Sequence, residues 1–226
     1  MKSIKSHHPQ ALTIFIVFFS TALLIVVLHL LFHPVRVLGM NTSIFYMDEK
    51  YTLASYFSVI TAFLTGFLSL TLVFPSSNPK HKLVNFIFSL FFLILSFDEY
   101  FEVHEHTNSI IKNIFETDNF FGNLAHLSWI FPLSIIIFLT FYLFIKKIIF
   151  SPEHIKYPLM AGFGCFALVI VFELLGSAAY GQSIYLYYVA IEEGLEMIGV
   201  TFFLLAVLVE SDYPASVWQS LNKKIG

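Results

Sequence analysis

The sequence predicts an all-α, polytopic membrane protein in which six transmembrane helices form one bundle. Hydrophobic residues make up 58% of the 226 residues and charged residues only 12%, whereas a soluble domain carries about a quarter charged residues. Six apolar stretches approach or exceed the length of about 20 residues that a helix needs to cross a membrane. Because the loops between them are short, we expect a single transmembrane domain over residues 1–226.

The six predicted spans follow one another with polar or proline-containing connections. Lys2 and Lys5 precede the first span, which is too long for a signal-peptide core and has no small-residue cleavage site after it, so we expect it to stay uncleaved. Pro75 separates the second span from the third, and Tyr185 opens the sixth with an aromatic belt. The spans lie near residues 12–32, 53–74, 83–102, 127–145, 158–180 and 185–209.

The distribution of lysines predicts that both termini are cytoplasmic. The N-terminal segment, the loop between the second and third spans, the loop between the fourth and fifth, and the C-terminal segment all carry lysines. Only Arg36, Lys50 and Lys112 fall on the opposite side. Cytoplasmic loops are enriched in lysine and arginine, so we expect an N-in, C-in topology.

Three glutamates lie inside the sixth span, namely Glu192, Glu193 and Glu196. An ionised carboxylate near the bilayer centre costs about 2.5 kcal/mol or more. On a helix the three side chains fall within an arc of about 100°, so they point towards one region. We expect protons, a metal ion, a basic partner or water to neutralise or solvate them there.

Other acidic and imidazole groups are predicted at the same outer level. The third span ends in an acidic run, the fifth carries a glutamate in its outer half, and a histidine opens the fourth. Carboxylates and imidazoles without cysteine suit Fe, Mn or Zn, and carboxylates alone suit Ca. The sequence therefore predicts a divalent metal site. The candidate ligands are Asp98, Glu99, His104, Glu105, His126, Glu173, Glu192, Glu193 and Glu196.

Several motifs that define other classes of protein are missing from the sequence. No glutamate is followed by histidine three residues later, as ferritin-like sites require, and no H-E-x-x-H pattern occurs. Phosphate-binding glycine motifs and a basic nucleic-acid patch are also missing, so we expect no nucleic-acid partner. Cys165 is the single cysteine, which excludes a disulfide framework and a cysteine metal site.

Short acidic motifs resemble those of a known group of proteins. They are an Asp-Glu-x4-His-Glu run from Asp98 to Glu105, a Glu-Glu-Gly-x-Glu run from Glu192 to Glu196, and the pair Asp48 and Glu49 before the second span. The chain is similar to poorly characterised bacterial six-span membrane proteins over most of its length. This resemblance implies a bacterial cytoplasmic (inner) membrane location and the same choice of residues, and it implies no particular reaction.

The leading functional hypothesis is a membrane-embedded metal-dependent enzyme. Glu193 and Glu99 are its candidate catalytic residues, and an amphiphilic or lipid-like substrate would enter from the bilayer for hydrolysis or oxidation. The first alternative is a proton or cation channel or transporter that uses the same acids. The second is a non-catalytic subunit or sensor that binds Ca²⁺ or a basic partner. Each hypothesis allows the chain to form oligomers.

Overall fold

The computed structural model is all-helical, and the residues that it describes contain no strand. The five long helices are α1 (Pro9–Phe32), α2 (Leu53–Thr71), α3 (Pro79–Phe101), α4 (Glu153–Ala178) and α5 (Tyr185–Ser211). A 3-10 turn at Ser43–Phe45 precedes α2, and residues 144–149 are helical. The described residues are 9–32, 43–47, 51–74, 79–101, 103, 141–142, 144–149, 151–179 and 181–212.

The long helices agree closely with five of the predicted spans. All five are long and apolar enough to cross a membrane, which is consistent with an integral membrane protein. The fifth span was predicted to begin at Pro158, but α4 begins five residues earlier and buries this proline. Near a helix start, a proline removes only one backbone hydrogen bond, here to the His154 carbonyl. The predicted span 127–145 lies mostly outside the described residues.

Contacts between α1 and α5 show that these two helices run antiparallel. Near the start of α1, the rings of Phe15 and Phe19 contact Phe202. Near the end of α1, Val26 lies against Gly194. The contact therefore moves towards the start of α5 as α1 advances.

The two ends of the bundle differ in their charged residues. One end is formed by the starts of α1, α3 and α4 and the ends of α2 and α5, and it carries Lys82, Lys147 and Lys156. We call it the lysine end. The opposite end, which carries Glu99 and the glutamates near the start of α5, is called the acidic end.

Helix α5 is the central helix of the bundle. In the apolar stretch of α5 that could cross a membrane, 61% of the residues are buried, against 17–39% in the corresponding stretches of the other four long helices. It packs against α1, α2 and α4, and Phe203 reaches the rings of α3. Polar side chains on the buried faces of α5 therefore point into protein and not into lipid.

A layer of phenylalanine rings fills the middle of the bundle around Phe203. Its ring centroid lies 5.1–5.8 Å from those of its four neighbours, and the rings are tilted or edge-on, which are the favoured aromatic geometries. This layer lies between the lysine end and the acidic end. The aromatic layer consists of Phe88, Phe92, Phe144, Phe166 and Phe203.

Helices α2 and α3 approach closely because small residues line their contact. A Cβ atom on Gly66 would lie 3.0 Å from the backbone oxygen of Ser89. The Ser89 hydroxyl donates to the Gly66 carbonyl at 2.7 Å, and the Ser96 hydroxyl donates to the Val59 carbonyl at 2.9 Å. Small residues and hydroxyl hydrogen bonds are how membrane helices associate without a hydrophobic driving force.

Helices α4 and α5 cross at two glycines. A Cβ atom on Gly162 would lie 2.9 Å from the Gly199 carbonyl oxygen and 3.0 Å from the Phe203 ring. Two residues further on, on nearly the opposite face of α4, a Cβ atom on Gly164 would meet nothing within 4 Å. The close crossing therefore depends on Gly162 and not on Gly164.

We expect Gly162→Ala to lower the free energy of unfolding by about 1–3 kcal/mol, because the added methyl group overpacks the crossing. Gly164→Ala serves as the matched control. It should leave the stability unchanged or raise it by up to about 1 kcal/mol through helix propensity. Equilibrium unfolding of the detergent-solubilised protein by SDS measures both changes. Equal stabilities of the two variants would contradict the crossing geometry.

Candidate acidic site and a buried ion-pair network

The three glutamates of α5 share helix faces with buried residues further along the same helix. Each stands seven residues before a buried residue, and seven residues bring a helix back to within about 20° of the same face. All three side chains are partly buried. The pairs on a common face are Glu192 and Gly199, Glu193 and Val200, and Glu196 and Phe203.

The structure places the Glu192 carboxylate beside the end of α4. Its Oε2 atom lies 3.7 Å from the position that a Cβ atom on Gly176 would take. Glu173 lies three residues earlier on α4, about 4.5 Å deeper along the helix. It stands 11 residues after Gly162, which packs on α5, and 11 residues also return a helix to nearly the same face. Glu173 therefore faces α5 near the level of Glu192.

On α3 the structure separates the two predicted acids. Glu99 stands seven residues after the fully buried Phe92, so it lies on the interior face of the helix. Asp98 is about 100° away around the helix and lies at the edge of that face. Both side chains are partly buried. Three helices, α3, α4 and α5, thus contribute inward-facing carboxylates to the acidic end.

The metal prediction receives no support from the described part of the chain. There, no three side chains of histidine, cysteine, aspartate or glutamate are grouped so that they could hold a metal ion. The predicted ligands His104, Glu105 and His126 lie outside the described residues, as do Asp48 and Glu49. The described carboxylates alone therefore do not form a metal centre.

His29 has a structural role at the acidic end. Its ring is fully buried, and its Nδ1 atom accepts a hydrogen bond from the Met47 backbone N–H at 3.1 Å. The ring also stacks on Tyr46 with centroids 5.5 Å apart. Because the Nδ1 lone pair is used in this bond, His29 ties the end of α1 to the segment before α2.

A buried polar network at the lysine end was not recognised from the sequence. Lys147 Nζ donates to Glu210 Oε2 at 2.9 Å and to Asn85 Oδ1 at 2.6 Å. Asn85 Nδ2 donates to Glu210 Oε1 at 3.3 Å, which closes a ring of three side chains. Each of the three is at most 5% exposed. We call Asn85, Lys147 and Glu210 the buried triad.

Further contacts hold the residues of the buried triad in place. Lys147 Nζ lies 4.7 Å from the centroid of the Phe88 ring, a cation–π contact with the aromatic layer. The Ser69 hydroxyl donates to the Asn85 backbone carbonyl at 3.4 Å, and the Ser151 hydroxyl donates to the Lys147 carbonyl at 2.7 Å. The triad thus joins α3, residues 144–149 and α5 at a buried site.

The sequence contains a weak signal for this network. Asn85 lies just inside an apolar stretch, where a polar amide needs a partner. An amide, a lysine and a glutamate near the same end of three spans would have suggested a pairing.

The fold is a helical bundle of apolar spans with acids at one end and a buried ion pair at the other. This class of structure is consistent with a multi-pass membrane protein. More particularly, the chain belongs to the family described as Domain of unknown function (DUF8692), whose model matches residues 12–210. Comparison with curated proteins and with solved structures gave no match. The family match agrees with the resemblance to a poorly characterised group.

Proposed function

We propose that the protein is a membrane-embedded, metal-dependent enzyme whose site lies at the acidic end. The proposal is supported by helix periodicity, which puts carboxylates of α3, α4 and α5 on faces that pack against protein further along each helix, at the acidic end of the bundle. Acids gathered at one end of an otherwise apolar bundle suit binding and catalysis better than conduction. Glu193 and Glu99 are the candidate general bases, and Glu173, Glu192 and Glu196 are candidate ligands that would need further ligands from outside the described residues.

A metal ion at this site needs ligands beyond the described carboxylates. His104, Glu105 and His126 are the proposed additional ligands, and Asp98 would orient a ligand from the edge of the site. Iron, manganese and zinc accept such a mixed oxygen and nitrogen set, and calcium accepts the oxygens alone. When bound, the ion would supply Lewis-acid activation of a substrate oxygen or of water.

The proposed substrate is amphiphilic, with a polar head and an apolar tail. The carboxylates lie near one end of helices that are otherwise apolar and expose leucine, isoleucine and valine outwards. A lipid-like molecule would place its head at the acidic end and its tail along these surfaces. We further propose six spans with the lysine end in the cytoplasm of a bacterial cell, as the positive-inside rule requires.

The second candidate function is a proton or cation pathway, and the buried triad favours it. Intramembrane ionisable residues commonly mark such pathways, and this triad adds charged groups to the half of the bundle opposite the acidic site. Two observations speak against it. The aromatic layer lies between the two sites, and buried hydroxyls such as Thr61, Thr65 and Thr201 donate to backbone carbonyls of their own helices.

Elemental analysis of the detergent-purified protein tests the proposal. We expect about one or two transition-metal or calcium ions per chain and their loss in Glu192→Gln/Glu193→Gln. Glu153→Gln is the matched control, because Glu153 is exposed at the lysine end of α4, and it should keep the metal. Absence of metal from all three proteins would refute metal dependence, and cation flux in liposomes would then test the pathway.

A further inference from the structure

Exposed tyrosines mark the acidic end of the bundle. One precedes α2 and one lies in its first turn, one lies at the end of α3, and one lies in the first turn of α5. Tyrosine is enriched at the boundary between membrane and water, because its ring is apolar and its hydroxyl is polar. These side chains therefore suit a membrane boundary at the acidic end. They are Tyr51, Tyr56, Tyr100 and Tyr187, which we call the tyrosine belt.

Exposed ionisable side chains mark the opposite end of the bundle. Among the described residues, every exposed aspartate, glutamate, lysine or histidine lies at the lysine end. Tyr157, near the start of α4, is 70% exposed at the same end. Charged side chains together with tyrosine suit the second boundary of a membrane. The ionisable residues are Lys82, Glu153, His154 and Asp212.

Between these two levels, the outward-facing side chains of α3 and α4 are apolar. Every exposed residue from 83 to 97 is leucine, isoleucine or phenylalanine, and every exposed residue from 160 to 175 is methionine, leucine, isoleucine or valine. Midway along α1, the exposed Thr21 hydroxyl donates to the Val17 carbonyl at 2.8 Å, so its donor is paired within the helix as lipid contact requires. Tyr142 is an exposed tyrosine within this region, and the Lys146 ammonium lies 5.3 Å from its ring centroid.

The distance between the two levels matches the thickness of a bilayer. Helix α3 rises about 27 Å from Lys82 to Tyr100. Helix α4 rises about 29 Å from Tyr157 to Gly176, and Gly176 packs beside Tyr188 at the start of α5. The hydrocarbon core of a typical bilayer is about 30 Å thick. Two helices therefore give nearly the same spacing, and that spacing fits a membrane.

We propose that the hydrocarbon core of a bilayer surrounds the bundle from the level of Lys82 and Tyr157 to the tyrosine belt, and that the exposed faces of α3 and α4 contact lipid directly. A second copy of the chain or another protein would cover one patch of the surface. Here the apolar faces of two helices end at the same two levels, which indicates a layer of lipid as the partner.

Both polar sites of the protein then lie within the hydrocarbon layer, between helices. Glu192 and Glu196 follow Tyr187 on α5, about 8 and 14 Å inside the layer. Asn85 of the buried triad follows Lys82 on α3, about 5 Å inside the layer from the lysine end. Ionisable groups at such depths are costly when lipid surrounds them, so a ligand of the acidic site has to reach it between helices. This placement does not depend on the reaction proposed for that site.

Depth measurements with spin labels test this placement. A nitroxide is attached to single introduced cysteines on the exposed face of α4, in the full-length Cys165→Ala protein reconstituted into phosphatidylcholine vesicles. Oxygen dissolves in hydrocarbon, whereas a polar nickel chelate stays in water. We therefore expect the ratio of oxygen to nickel collisions to peak between residues 164 and 168 and to fall towards both ends of α4. The labelled positions are Tyr157, Met160, Gly164, Leu168, Val171 and Leu175.

A label in a turn and a second helix complete the test. Gln182→Cys is the control, because Gln182 is exposed in the turn between α4 and α5, and its label should collide mainly with the nickel chelate. A parallel series on α3 should peak near Leu90 and Ile94, and it decides the question if the α4 variants do not fold. The placement is overturned if the ratio is flat or peaks at one end of the helix. Middle positions that neither reagent reaches would also overturn it, because protein would then cover these faces.

Discussion

Replacing Lys147 with methionine should lower the free energy of unfolding by about 3–5 kcal/mol. Methionine keeps much of the apolar volume but leaves the Glu210 carboxylate buried with Asn85 as its remaining partner in the triad. Breaking a buried ion pair on one side is costly, because an uncompensated charge stays in a medium of low dielectric constant. SDS-driven unfolding of the detergent-solubilised protein measures the loss.

Two further variants separate the ion pair from general effects of lysine removal. Lys156→Met, at the same end of the bundle, should change stability by less than about 1 kcal/mol because partly exposed charges contribute little. Lys147→Met/Glu210→Met removes both charges and should recover most of the loss, apart from the cost of the unpaired Asn85 amide. If Lys147→Met is as stable as Lys156→Met, the triad does not stabilise the fold.

The buried triad also shows what sequence patterns leave undetermined. Apolar length predicted α1, α2, α3, α4 and α5 to within a few residues, because crossing a membrane imposes a length on each helix separately. The partner of Lys147 depends instead on how three helices pack, and Glu210 lies 63 residues further along the chain. Counting charges along the sequence therefore gives no sign of this pair.

For the acidic site, helix periodicity was informative within one helix and not between helices. The spacing of Glu192, Glu193 and Glu196 predicts a common direction, and each of the three stands seven residues before a buried residue of α5. The spacing could not predict that Glu192 lies beside Gly176, because that contact depends on how α4 and α5 cross. Nor could it show that the described carboxylates lack a three-ligand group.

Replacing Phe203 with alanine should also have a large effect, lowering the free energy of unfolding by about 3–5 kcal/mol. Its side chain is 1% exposed and contacts four other rings of the aromatic layer. Alanine leaves a cavity that these rings cannot fill without moving off their rotamers. The same SDS unfolding experiment measures the effect.

The neighbouring phenylalanine is the matched control. Phe202 is partly buried and contacts Phe15 and Phe19 on the side of α5 that packs against α1, so Phe202→Ala should cost clearly less than Phe203→Ala. Equal losses would mean that the aromatic layer is not the tightly packed centre of the bundle. A larger loss for Phe202→Ala would place that centre between α1 and α5.

The same two variants separate the two candidate functions when they are reconstituted into liposomes. In an enzyme with a one-sided acidic site, the triad is closed by its own hydrogen bonds. Removing one ring should then leave cation and proton flux at the background level in both variants. If the protein conducts ions, Phe203 would be the barrier between the buried triad and the acidic site. Flux should then rise in Phe203→Ala and not in Phe202→Ala. A rise in flux in Phe203→Ala alone would indicate that the triad and the acidic site belong to one ion pathway.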